Sequence, residues 1–213
     1  MDGTLWDASE EVAHSWQEAI QASTITDKVL TKEDFMRVMG KPMDELIEAL
    51  FPELSKAEQN QLLEDCCKVE NAYLREKGAK LYPGIEQMLA DLKKEYFLAI
   101  VSNCQCGYIE AFLEHYGFGK YIDDIQCFGM NEVPKGENIR LVAERNHLED
   151  AVYVGDIQGD YDASKAAGVK FIHAAYGFGE IEDEVPRIEK PLELKEVRSE
   201  ERRVGKECRS RWS

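Results

Sequence analysis

The chain has 213 residues and a formal net charge of −16 at pH 7. This length is enough for one α/β domain that carries a smaller inserted domain, and the acidic balance argues against nucleic acid as a partner. No apolar stretch approaches the ~20 residues that span a bilayer, so we expect no membrane partner and a cytoplasmic location.

The first residues contain an Asp-Gly-Thr sequence, Asp2-Gly3-Thr4. A carboxylate at this point can hold a proton near a reacting group, and the small glycine lets backbone N–H groups approach a phosphate. Asp-Gly is also an ordinary turn dipeptide. The sequence therefore needs support from elsewhere in the chain before it indicates a phosphate site.

Residues 10–80 are rich in helix-forming residues with helical spacing and contain no convincing strand. Breaks near Ser23, at Gly40-Lys41-Pro42 and at residues 51–55 predict about four helices. We call residues 14–80 the helical insert. After it, Tyr82-Pro83-Gly84 marks the start of another helix.

From residue 97 onward, apolar strands alternate with helices. The predicted strands are 97–101, 125–128, 151–154 and 170–173, and the predicted helices are 107–116, 136–146 and 159–167. Such alternation is typical of a parallel sheet with helices on both faces. We therefore predict an α/β fold, in which a Rossmann-like parallel sheet core of residues 1–13 and 81–197 carries the α-helical insert.

Polar residues follow two of these strands, where ligands bind in open α/β sheets. Ser102 and Asn103 follow the first strand, and Asp156 and Asp160 follow the third. Two carboxylates at a strand end suit Mg²⁺. Lys135, at the start of a helix, offers a compact positive charge to a phosphate or a carboxylate.

Each of these residues also has a structural interpretation. Ser102 and Asn103 could cap the end of a strand, Asp156 and Asp160 could cap the following helix, and Lys135 could be a solvated surface lysine. The order of all the elements together favours a phosphate site.

This pattern resembles the haloacid dehalogenase superfamily of phosphohydrolases, in the branch of phosphoglycolate phosphatase and β-phosphoglucomutase. The resemblance covers nearly all of residues 1–197 and implies that the helical insert is a cap domain over the active site. It implies that Asp2 is the general acid and base, that Ser102 beside Asn103 holds the phosphoryl group, and that Lys135 offsets negative charge.

The resemblance also implies the ligand sites. Asp156 and Asp160 would hold Mg²⁺, together with the backbone carbonyl of Asp2. Gly3 and Thr4, in the first motif, are candidates for substrate binding. Lys41 occupies the position from which cap residues of the family reach toward the substrate, although a solvated turn lysine is the other interpretation.

The family's nucleophilic Asp would stand two residues before Asp2, and no residue of this sequence matches it. We therefore expect Met1 to be an internal residue of a longer parent, the first strand of the sheet to be missing, and the chain as written to be inactive. The sequence changes character again at residues 198–213, which are basic and resemble a translated sequencing adaptor. We expect this tail to be non-native.

The predicted function of the full-length parent is Mg²⁺-dependent hydrolysis of a small phosphomonoester through an aspartyl-phosphate. A phosphosugar mutase and a non-catalytic phosphate-binding protein remain alternatives, and the sequence does not determine the oligomeric state. Cys104 and Cys106, just after Ser102, are compatible with a redox feature, a metal feature or reduced thiols in the protein interior.

Overall fold

The computed structural model describes residues 1–198. Residues 199–213 of the expected non-native tail lie outside the described residues. Arg198, the first residue of that tail, lies in the helical segment 194–198 and donates hydrogen bonds to the backbone carbonyl and the carboxylate of Asp150 at 2.6 and 2.8 Å.

The predicted helices before residue 80 are confirmed. They are α1 (Ser9–Ala22), α2 (Lys32–Met36), α3 (Met43–Leu50) and α4 (Lys56–Lys77). Thr31 and Ser55 begin α2 and α4 with capping boxes, in which the hydroxyl and the third helical residue satisfy each other's backbone N–H groups. None of the helices in residues 1–198 is long and apolar enough to cross a membrane.

Two short strands enclose these helices. β1 (Trp6–Asp7) and β2 (Lys80–Leu81) pair antiparallel, with Trp6 opposite Leu81. This pair was not predicted, because two residues are too few to show a period of two. The pairing places the chain's entry into α1–α4 beside its exit. Since α1 begins at Ser9, the predicted boundary at residue 14 falls inside a continuous helix.

The alternating part of the chain is confirmed, with each predicted end within two residues of its position. It consists of α5 (Ile85–Leu92), β3 (Ala99–Ser102), α6 (Tyr108–Tyr116), β4 (Asp124–Cys127), α7 (Lys135–Arg145), β5 (Val152–Gly155), α8 (Gln158–Ala167) and β6 (Lys170–Ala174), followed by β7 (Arg187–Ile188). β7 was not predicted, because it too has only two residues.

The strands form two parallel groups whose inner edges face each other. β3 pairs with β4, and β5, β6 and β7 pair in that order. Within residues 1–198 the backbones of β3 and β5 are not paired with each other. Instead the Tyr153 hydroxyl donates to the Val101 carbonyl at 2.9 Å across the gap.

An apolar cleft of about 490 Å³ lies at this gap. Residues of β3, β5 and α7 line it, including Val101, Val142 and Tyr153. A second, smaller cavity beside it is lined by Met1 as well as by β3 and β5. The cavity therefore connects Met1 with the facing edges of β3 and β5, which carry unpaired N–H and C=O groups.

A buried carboxyl group of the insert forms a hydrogen bond with the loop that follows β3. Glu70 on α4 is 3% exposed. It accepts hydrogen bonds from the indole N–H of Trp16 on α1 and, at 3.0 Å, from the Gln105 side chain in the loop after β3. Burial raises the pKa of Glu70 to about 7, and the two hydrogen bonds only partly oppose that effect.

The raised pKa of Glu70 makes the stability of the fold depend on pH. The folded state binds this proton more tightly than the unfolded state, so the contribution is present below pH 4.5 and is lost as the pH rises to about 7. Glu70→Gln removes the buried charge. We expect its free energy of unfolding, relative to the wild type, to rise by up to about 3 kcal/mol between pH 5 and 8, as measured by urea denaturation.

The exposed Glu64 on the same helix supplies the matched control. Glu64→Gln should leave the pH profile parallel to that of the wild type. A parallel profile for Glu70→Gln would contradict the assignment of a buried titrating carboxyl.

The cleft between β3 and β5 predicts a response to an added strand. A chain extended before Met1 by about five apolar residues, the common strand length, should pair with both edges. Burying two or three of the new side chains is worth about 4 kcal/mol, which corresponds to a rise in Tm of about 8–16 °C for a chain of this size. Calorimetry measures the change.

An extension of equal length with lysine at the apolar positions is the control for this measurement. Its Tm should not rise, because charged side chains do not enter an apolar cleft without a partner. Equal Tm values for the two extensions would show that the cleft does not accept a strand.

Candidate active site

The predicted site residues converge on one small cavity. It lies at the carboxyl ends of β3 and β5, and its lining includes all six predicted catalytic and metal-binding residues: Asp2, Ser102, Asn103, Lys135, Asp156 and Asp160. Lys41 and Glu70 of the insert form part of the cavity wall. The cavity holds about 60 Å³, well below the ~300–1,000 Å³ of typical ligand pockets.

Asp2 is partly buried and accepts a hydrogen bond from a tyrosine. The Tyr108 hydroxyl, on α6, donates to Asp2 Oδ1 at 2.6 Å. Burial raises the pKa of the Asp2 carboxyl, and the hydrogen bond from Tyr108 partly opposes that effect. The sequence analysis missed Tyr108, because a tyrosine on the buried face of an amphipathic helix has the pattern of a core residue. Its edge contact with Trp6 is a core contact as well.

Gly3 and Thr4 contact Asp156 rather than the cavity. The Thr4 hydroxyl donates to Asp156 Oδ1 at 3.1 Å. Gly3 has φ +74°, and a Cβ at this position would lie 1.8 Å from Asp156 Oδ2, so only glycine allows the backbone this close. Both residues therefore position a carboxylate, and their predicted role in substrate binding stays a prediction.

Asp156 and Asp160 lie side by side at the end of β5. Asp160 Oδ2 accepts a hydrogen bond from the backbone N–H of Asp156 at 3.0 Å, and Asp156 Oδ2 accepts one from the N–H of Phe178 at 3.0 Å. Neither carboxylate caps α8, whose N-cap residue is Ile157 without a side-chain hydrogen bond. Burial raises the pKa of Asp156, and the neighbouring charge of Asp160 raises it further.

Lys135 is buried against Asp160. Its side chain is 9% exposed, and Nζ lies 2.6 Å from Asp160 Oδ1. Burial acts to raise the pKa of Asp160, but the Lys135 charge and hydrogen bond outweigh it and hold that pKa below its usual value. For Lys135, burial acts to lower the pKa, and the nearby negative charges with the Asp160 hydrogen bond raise it overall. Both groups therefore stay charged at neutral pH.

Ser102, Asn103 and Lys41 connect the site to the insert. Ser102 is 7% exposed. The Asn103 side-chain amide donates to the Gly40 carbonyl at 2.8 Å, so the turn that carries Lys41 touches the strand end directly. The Lys41 side chain is 46% exposed, and its Nζ lies 3.9 Å from Glu45. Lys41 thus lies at the edge of the cavity, half in solvent.

The donor set for a cation is incomplete in the described part of the chain. Within residues 1–198 no group of three or more His, Cys, Asp and Glu side chains is arranged to hold a metal ion. Asp156 and Asp160 nevertheless supply hard oxygen donors of the kind that Mg²⁺ prefers. Burial and, after it, the neighbouring charge of Asp160 raise the pKa of Asp156, and a bound cation would favour the ionised form of both carboxyls.

One more missed contact involves the loop after β6. Tyr176 and Phe178 lie in this loop. The Tyr176 hydroxyl donates a hydrogen bond to the Thr4 carbonyl at 2.9 Å and so stabilises the shape of the loop. Phe178 also lines the cavity and contributes its backbone N–H to Asp156. A backbone donor leaves no trace in residue type, so the sequence could not indicate it.

Comparison with known proteins identifies relatives of this chain. The family model described as haloacid dehalogenase-like hydrolase matches residues 1–174. A phosphoglycolate phosphatase of Shigella flexneri is 28% identical over 171 residues, which is 74% of this chain and 64% of that protein. One from Shigella boydii is 30% identical over 151 residues, which is 67% of this chain and 56% of that protein. The chain therefore spans less than two thirds of the length of these curated relatives.

The fold has close counterparts among solved structures. CbbY from Rhodobacter sphaeroides, solved in complex with phosphate, superposes with a TM-score of 0.78 at 20% identity, covering 91% of this chain and 93% of CbbY. A haloacid dehalogenase-like family protein from Streptococcus pneumoniae gives a TM-score of 0.71 at 22% identity, covering 92% and 94%. With a family model that matches most of its length, the chain belongs to the haloacid dehalogenase-like hydrolases.

Proposed function

We propose that the full-length parent of this chain hydrolyses a small phosphomonoester with Mg²⁺ through an aspartyl-phosphate, and that the chain as written, which has no residue matching the nucleophilic Asp, is inactive. The observation that supports this most is the gathering of Asp2, Ser102, Lys135 and the Asp156–Asp160 pair around one buried cavity. The relatives' names, phosphoglycolate phosphatase, support a phosphate ester as the substrate class.

The mechanism assigns a separate task to each side chain. The Ser102 hydroxyl and the Lys135 ammonium hold oxygens of the phosphoryl group and neutralise part of its charge. The Asp2 carboxyl protonates the leaving alkoxide and afterwards takes a proton from the attacking water. Its raised pKa suits this task, because a protonated carboxyl is needed in the first step.

Asp156 and Asp160 would hold Mg²⁺, together with the backbone carbonyl of Asp2. When bound, the cation neutralises negative charge on the phosphoryl oxygens. Lys135 remains paired with Asp160 in this arrangement and keeps the carboxylate ionised. The nucleophilic Asp of the proposed covalent route would belong to a strand in the cleft between β3 and β5.

The helical insert, residues 14–80, would act as the cap that selects the substrate. The cavity of about 60 Å³ is small for a phosphate ester. The β1–β2 pair at the base of the insert is the place where a movement that widens the cavity would be hinged. Lys41 and Glu70 are the charged groups of the insert on the cavity wall. We keep the cytoplasmic location expected from the sequence as part of this proposal.

The catalytic assignment predicts the effects of removing two carboxylates. In a chain extended before Met1 by an apolar strand ending in Asp, with one residue between that Asp and Asp2, we expect Mg²⁺-dependent turnover of p-nitrophenyl phosphate. Asp2→Asn should lower kcat by about 100- to 10,000-fold, the usual contribution of a general acid and base. Asp156→Asn should lower it at least about tenfold and raise the Mg²⁺ requirement.

Asp162→Asn is the matched control, since Asp162 lies on α8 but is exposed. It should leave kcat unchanged. Full activity of the Asp2 and Asp156 variants would refute the roles given to these carboxylates, and turnover that is unaffected by a chelator would refute the role of Mg²⁺.

Lys41 carries the prediction about selectivity. Lys41→Ala in the same extended chain should change the relative kcat/KM values of a panel of phosphate esters by about tenfold. The reason is that a charge at the edge of the cavity contacts the alcohol part of the ester and does not contact the phosphoryl group. Turnover of p-nitrophenyl phosphate should change less. Lys56→Ala, on the exposed start of α4, is the control, and an unchanged ester profile for Lys41→Ala would remove Lys41 from the site.

A further inference from the structure

Three cysteines meet beside the active site and have no part in the proposed reaction. Cys104 and Cys106 lie in the loop after β3, and Cys127 ends β4. The parallel register places Cys127 opposite Ser102. The Gly129 N–H donates to the Cys104 carbonyl at 3.0 Å, so the loop and the turn after β4 are fastened to each other.

The backbones are in contact at the same place. A Cβ on Gly129 would lie 2.6 Å from the backbone nitrogen of Cys106, which shows that the chain next to Cys127 touches the chain at Cys106. The topology therefore brings a thiol at the end of one strand against two thiols of the neighbouring loop. All three are unpaired thiols in this structure.

The three thiols differ in exposure and in acidity. Cys106 is exposed, whereas Cys104 and Cys127 are buried. Hydrogen bonds from the Cys104 and Cys106 thiols, with one from the Met130 backbone, outweigh burial and lower the pKa of Cys127 to about 7. Burial raises the pKa of Cys104 well above its usual value. Cys127 is therefore the most acidic of the three thiols. Burial also raises the pKa of Cys106, so this exposed thiol reacts through the small fraction of it that is ionised.

We propose that Cys106 and Cys127 form a reversible disulfide by exchange with a small-molecule disulfide, of which oxidised glutathione is the simplest example. The exposed Cys106 reacts first with the small disulfide, and the buried Cys127 then reacts with the Cys106 sulfur. This site is independent of the phosphatase activity proposed above, and it would form in a chain without any catalytic turnover.

The exchange takes two steps. The Cys106 thiolate attacks one sulfur of the small disulfide, which forms a mixed disulfide and releases one small thiolate. The Cys127 thiolate then attacks the Cys106 sulfur, forms the protein disulfide and expels the second small thiolate. The two protons of the protein thiols end on the two released thiols. Two protein thiols are thus oxidised, and one small disulfide is reduced.

The location of the pair suggests what its oxidation would change. The Cys106 carbonyl accepts a hydrogen bond from the Asn71 side chain of α4 at 2.8 Å, and the adjacent Gln105 donates to Glu70 at 3.0 Å. A bond from Cys106 to the end of β4 would fix this loop to the sheet. The contact between the loop and the helical insert would then depend on the redox state.

A metal site is the other use that three cysteines could have. Within residues 1–198 no group of three or more His, Cys, Asp and Glu side chains, this cluster included, is arranged to hold a metal ion. The described geometry therefore favours disulfide formation over metal binding for this cluster.

Tryptic mapping of the full chain tests the proposal directly. Trypsin separates peptide 95–120, which contains Cys104 and Cys106, from peptide 121–135, which contains Cys127. The reduced protein is treated with oxidised glutathione, free thiols are blocked with N-ethylmaleimide, and the digest is analysed by mass spectrometry. We expect peptides 95–120 and 121–135 joined by one disulfide, which dithiothreitol releases.

Single variants identify the partners. Cys106→Ser should lower the yield of the joined peptides at least about tenfold, and Cys127→Ser should leave a glutathione adduct on peptide 95–120. Cys67→Ser, in the helical insert, is the control and should leave the yield unchanged. Circular dichroism verifies that each variant is folded.

Two results would overturn the proposal. Blocked thiols on both peptides after glutathione treatment would show that the pair does not form. Joined peptides that persist in Cys106→Ser and disappear in Cys104→Ser would assign the bond to the buried Cys104 instead.

Discussion

The buried ion pair between Lys135 and Asp160 is the interaction on which the arrangement of the site depends. Two carboxylates four residues apart, both nearly inaccessible to water, repel each other unless a positive charge lies beside them. Lys135 provides that charge at 2.6 Å. Because it opens α7 while the carboxylates belong to the end of β5 and to α8, the pair fixes the relative positions of three elements.

The remaining contacts of the site follow from holding Asp156 in place. Thr4 and the Phe178 N–H each bond one of its oxygens, and the missing side chain of Gly3 allows the N-terminal segment to lie directly against it. The same segment delivers Asp2 to Tyr108. A single carboxylate thereby connects the first residues of the chain with the loop after β6, which lies more than 170 residues later.

The helical insert is held over the cavity by polar contacts. Gln105 and Asn103, both in the loop after β3, bond Glu70 and the Gly40 carbonyl. Partly exposed hydrogen bonds of this kind contribute only modestly to stability, so they suit a contact that opens and closes. The loop that follows the predicted phosphate-holding Ser102 is also the loop that meets the insert, and Cys104 and Cys106 of the thiol cluster belong to it. Substrate entry and the redox state of the thiols would therefore both affect the backbone of the loop after β3.

The sequence by itself determined the elements and the site residues with strong local signals. Apolar runs such as 151–154 end at polar residues, and the parallel arrangement then requires Ser102, Asp156 and their neighbours to meet at one edge. Helical spacing was equally visible in residues 10–80. Only the tertiary structure decided what holds those residues. Tyr108, Glu70 and the Phe178 N–H act through contacts between distant segments, and a core tyrosine, a helical glutamate and a backbone amide carry no distinguishing pattern. The two-residue strands β1, β2 and β7 were decided the same way, since pairing partners and not periodicity define a strand that short.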